Sequence, residues 1–125
     1  MKGTAFNFFA FAALCVAAGM VWGIMMAATQ DHTMSGAHAH LNLVGWATMG
    51  LFGVYYALTP AAARTGIARV HFWVAALGVV LLVPGIAMAL AERGEGIAIA
   101  GSFVTLASML MFLWVVFRHG IGRPA

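Results

Sequence analysis

The chain has 125 residues, 64% hydrophobic and 7% charged, with a formal net charge of +3 and a mean hydropathy of +1.00. A soluble domain of this length needs far more charge to cover its surface, so that class is excluded. The basic residues are scattered over separate segments, so the positive balance is not a nucleic-acid footprint.

Four apolar runs, 5–28, 37–58, 70–91 and 97–117, contain no Lys, Arg, Asp or Glu. Each approaches the roughly 20 residues that carry a helix across a bilayer. The predicted fold is therefore an all-α integral membrane protein, one domain over residues 1–125 with four transmembrane helices. Charge collects in the breaks, as Asp31 beside His32, Arg64 with Arg69, and Glu92, Arg93 and Glu95. Basic loop residues are retained in the cytoplasm. An N-in, C-in orientation places Lys2, Arg64, Arg69, Arg118 and Arg123 inside and leaves Arg93 outside. The expected location is a bacterial inner (cytoplasmic) membrane, with both termini cytoplasmic.

The first run is longer than the apolar core of a signal peptide and reads as a span. Its Cys15 is the chain's single cysteine, which excludes an intrachain disulfide and suits a small apolar filler. The second run opens on His38-Ala39-His40-Leu41-Asn42, on the outer side. Ionisable groups inside a span are costly and mark functional candidates, and neutral imidazole is a leading ligand for heme iron, copper and zinc. Two residues along a helix correspond to about 200° of rotation, so His38 and His40 point to nearly opposite sides. Asn42, four residues after His38, shares its side. Gly45, Gly50 and Gly53 follow on the same helix, where glycine admits either a neighbouring backbone or a flat ligand. Beyond Tyr55 and Tyr56, read as inner-side anchors, the third run opens with His71 and holds Pro84, which predicts a kink. His71 and the later His119 are expected at the inner interface. His71 lies about 30 Å from His38 at 1.5 Å of rise per residue, too far to share a ligand.

The segment His38-x-His40, Gly45-Trp46, Phe52-Gly53, Tyr55-Tyr56 and Pro60, followed by His71-Phe72-Trp73 and Gly78, resembles one family. It is similar to the tenth and eleventh helices of the catalytic subunit of heme–copper oxidases and nitric oxide reductases, most of all to the C-type oxidase branch. That resemblance implies that His38 and His40 are axial heme ligands directed into different pores. It also places Arg93 in the loop that contacts heme propionates. The family has twelve spans in three arcs of four, so a homotrimer of this chain would rebuild its plan, with His38 and His40 of neighbouring subunits meeting at each interface. The family's copper-binding histidines have no counterpart here, which argues against oxygen reduction.

The expectation is a membrane protein binding heme b between two histidines, suited to electron transfer or redox sensing, with an unspecified redox partner and no nucleic acid. Asn42 and Arg93 complete the cofactor-binding set. Two other readings stay open, namely a copper or zinc module using His38, His40 and His32, and a cofactor-free structural or assembly subunit.

Overall fold

A computed structural model describes residues 2–125. It is all-helical among these residues, with four helices long and apolar enough to cross a membrane. They are α1 (Thr4–Thr29), α2 (Ser35–Leu58), α3 (Gly66–Leu90) and α4 (Gly96–His119). One further helical turn, Pro60–Ala63, lies between α2 and α3.

Each helix begins before its apolar run, and at α3 a cap accounts for the difference. Thr65 caps α3 by accepting from the Ala68 amide at 3.3 Å, so α3 begins four residues before its run and takes Arg69 into its first turns. At the far end of α1, Gln30 turns the chain at φ 57°. Its side-chain amide donates to the Ala27 carbonyl at 2.8 Å. Helix α3 runs unbroken through Pro84.

Lipid offers helices no hydrophobic reason to associate, so close packing of small residues has to hold them. On α1 the buried positions Thr4, Phe8, Ala12, Cys15, Gly19 and Met26 recur at three, four or seven residues, the pattern of one packed seam. Opposite Cys15 stands Gly45, where a Cβ would meet the sulfur at 2.9 Å; at Gly53 it would lie 3.0 Å from the Phe9 nitrogen. Helices α3 and α4 touch backbone to backbone. A Cβ at Gly101 would sit 2.5 Å from the Leu82 nitrogen, and one at Gly85 would sit 2.5 Å from the Ala98 nitrogen. Of the second-helix glycines, Gly45 and Gly53 thus give α1 its close approach, the first of the two uses the sequence offered for them.

One end of the bundle gathers the chain termini. Tyr55 Oη donates to the Gly120 carbonyl at 2.6 Å, the Ala61 amide to Arg123 at 3.2 Å, and the Gly122 amide to Thr59 Oγ1 at 3.0 Å. Gly3 and Thr4 border the same surface groove as Pro60 and Arg64. The connections 30–34 and 91–95 lie at the opposite end.

Near the terminal end all four helices meet in an aromatic core. Phe8 contributes from α1, Phe52 and Tyr56 from α2, His71 and Phe72 from α3, and Phe112 from α4. His71 is fully buried, with ring centroids of Phe52 at 4.6 Å and Phe8 at 5.0 Å. Its Nδ1 pairs with the Tyr56 hydroxyl at 2.8 Å. The interfacial reading of His71, Tyr55 and Tyr56 is therefore corrected: all three are buried. The early start of α3 puts His71 more than a full turn inside the helix. The Ser108 backbone comes near the imidazole, yet Nε2 makes no hydrogen bond of ordinary geometry. Tyr56→Phe is accordingly expected to strip Nδ1 of its partner and cost about 1–3 kcal/mol. Tyr56→Phe with His71→Phe is expected to recover most of it, read by denaturant unfolding in mixed micelles across the double-mutant cycle.

Candidate functional site

The end opposite the termini brings His38, His40, Asn42, His32 and Arg93 into one region, but not into one site. His38 and His40 lie in the α-helical first turns of α2, Ser35–His40. From Leu41 to Thr48 the helix widens to π geometry before returning to α. Thr48 Oγ1 donates to the Leu43 carbonyl five residues back at 2.8 Å, matching that wider turn. Such widened turns occur disproportionately at functional sites.

His38 is half-buried against α1. Its Nε2 lies 2.9 Å from the Gly19 carbonyl, which accepts only, so the proton is on Nε2. Trp22 meets the ring edge-on at 5.9 Å. Gly19 and Gly23 leave the space the imidazole and Asn42 occupy: a Cβ at Gly23 would reach His38 Nε2 at 3.3 Å, and one at Gly19 would clash with Asn42 Oδ1. Asn42 Nδ2 is 3.4 Å from His38 Nε2, so Asn42 shares the side of His38 as the spacing predicts.

His40 is exposed on the outside of the bundle, away from α1. Its Nδ1 lies 2.7 Å from the Gly36 carbonyl, one turn earlier. That contact places the ring proton on Nδ1 and leaves the Nε2 lone pair free. A backbone carbonyl on one ring nitrogen is the usual way a metal-binding histidine is oriented and made more basic.

The two histidines therefore differ as ligands. His40 fits an axial ligand to heme iron as it stands. His38 fits less well, because its Nε2 is committed to Gly19, and ligation through that atom requires the bond to be surrendered. The gap between α1 and α2 at this level is filled by His38 and Asn42. One chain brings one free imidazole nitrogen to the outer face of α2.

His32 is exposed in the 30–34 connection, and its carbonyl accepts from the Ser35 hydroxyl at 2.7 Å. Beside it Asp31 accepts from the Thr33 hydroxyl at 2.6 Å and the Thr33 amide at 3.0 Å. These bonds hold its carboxyl below the ordinary range. Among the described residues no three or more His, Cys, Asp or Glu side chains come together as a metal group. The set His38, His40 and His32 is thus not assembled within one chain. Arg93 is exposed in the 91–95 connection, its amide donating to the Met88 carbonyl at 2.8 Å.

The Tyr56–His71 pair is the feature that the sequence reading missed. A signal was available: the two residues sit almost evenly about the short α2–α3 connection, so antiparallel helices bring them level. In comparisons with protein-family models, curated proteins and solved structures, nothing matches the chain.

Proposed function

We propose that this protein binds heme b at the end of the bundle opposite its termini, as a homotrimer in a bacterial inner membrane with both termini cytoplasmic. The observation that carries this reading is His40, whose Nδ1 is held by the Gly36 carbonyl at 2.7 Å while its Nε2 faces outward from the bundle. A second axial nitrogen has to come from another copy; His38 of a neighbouring chain is the residue the resemblance assigns to it, and it would have to surrender its bond to the Gly19 carbonyl to serve. Asn42 packs beside His38 on the same side of α2, and Arg93 supplies a cation at the same end for a propionate. Heme with two histidine ligands supplies one-electron transfer without an open coordination position, which suits electron transfer or redox sensing. The resemblance to heme–copper oxidases supports the same reading.

Protein purified in mild detergent is expected to show a Soret band and sharp α and β bands on reduction. Its intact complex is expected to have three times the mass of the 13.1 kDa chain, cofactor aside. A colourless protein would overturn the heme, and a monomer by intact mass would overturn the shared site. Retained zinc or copper without heme would favour the histidine metal module instead.

A further inference from the structure

At the same end, but on different side chains, one cavity gathers three thioethers. Met25 and Met26 come from the last turns of α1, and Met34 returns across the connection just before α2. Together with Trp22, Thr29 and Asp31 they line an open cavity of about 130 Å3. We propose that this cavity binds a soft monovalent metal ion, Cu(I) in chemical class, through the sulfurs of Met25, Met26 and Met34.

The ligand chemistry selects the ion. Neutral thioethers bind Cu(I) and its redox-inert analogue Ag(I), and they bind Zn2+ and Mg2+ poorly. Because thioethers carry no charge, the ion keeps its own. Asp31, which also lines the cavity, carries one negative charge to balance a single positive one, so a monovalent ion sits at a hydrophobic rim without leaving net charge there. Trp22 adds an aromatic wall, and indole faces attract cations. Access follows from exposure: Met25 is 58% exposed while Met26, behind it, is 8% exposed, so an ion entering from water meets one sulfur before the other. A purely space-filling role would explain Met26 but not three methionines lining one open cavity beside an aspartate.

Silver(I) is the probe, titrated into the purified detergent-solubilised protein carrying Cys15→Ser, so that the free thiol does not compete, with dialysis for stoichiometry and tryptophan fluorescence for occupancy. One Ag(I) per chain is expected to be retained, equally at neutral pH and at about pH 5, because thioethers do not titrate. The volume-conserving variant Met25→Leu, Met26→Leu, Met34→Leu is expected to bind at least about tenfold more weakly with unchanged helical circular dichroism. Met34→Leu alone, outside the helices, is expected to weaken binding by a smaller factor and guards against a misfolded triple variant. His32→Ala with His40→Ala, which leaves His38 and its packing on Trp22 in place, is expected to leave silver binding intact. Full binding by both methionine variants, loss of binding at about pH 5, or loss in the histidine variant would each overturn the proposal. The methionines and the heme-binding residues do not overlap, so failure of one reading leaves the other's signal standing.

Discussion

Gly101→Leu is expected to open the α3–α4 hairpin and to be the most damaging single substitution in the chain. The reason is the identity of the obstructing atoms. A Cβ at this position would lie 2.5 Å from the Leu82 nitrogen and 2.6 Å from its Cα, and neither atom belongs to a movable side chain. The helices would have to separate along their whole contact, which also includes Gly85 against Ala98 and Gly78 against Thr105. Helix α4 buries Gly101, Ser108 and Val115 at seven-residue spacing, so Gly101 is one of three positions that seat this helix, with Phe112 adding the contact to the aromatic core. Overpacking of this kind costs typically 1–3 kcal/mol and here is expected at or above the upper end, about 3 kcal/mol. Denaturant unfolding in mixed micelles measures it. Gly96→Leu, with nothing within 4 Å of its added Cβ, is the control and is expected to change stability little. Equal stability of the two variants would show that the α3–α4 contact does not hold the bundle.

The second large effect separates His38 from His40. Both His38→Ala and His40→Ala are expected to remove the low-spin α and β bands, since a bis-histidine heme fails when either axial nitrogen is lost. Their effects on the apoprotein are expected to differ. His40 is exposed and bonds only its own preceding turn, so its removal should leave unfolding unchanged. His38 ties α2 to the Gly19 carbonyl of α1 and packs on Trp22, so its removal should cost about 1 kcal/mol. An unchanged reduced spectrum in both variants would defeat the heme assignment. Equal destabilisation of the apoprotein would defeat the distinction between an outward ligand and an inward, tethered one.

The four long apolar helices were legible because a bilayer imposes a blunt rule: about 20 residues of hydrocarbon thickness without charge. The pairing of Asn42 with His38 was legible too, since it depends only on helical period. The π segment was not, because a widened turn differs from a regular one by a small rearrangement of backbone bonds. Here Thr48 and the fit of Asn42 and Gly45 against α1 accompany it.

From residue types alone came the class of the molecule, the separation of His38 and His40 to different sides, and the polar segment worth inspecting. Which side of α2 faces α1 is decided by packing between segments distant in the chain. That choice commits His38 Nε2 to Gly19 and leaves His40 Nε2 free. It also spends Gly45 and Gly53 on contact with α1 and buries His71 beside Tyr56. Such outcomes depend on which small residues allow two backbones closest approach, a property of pairs of helices that no single helix carries by itself.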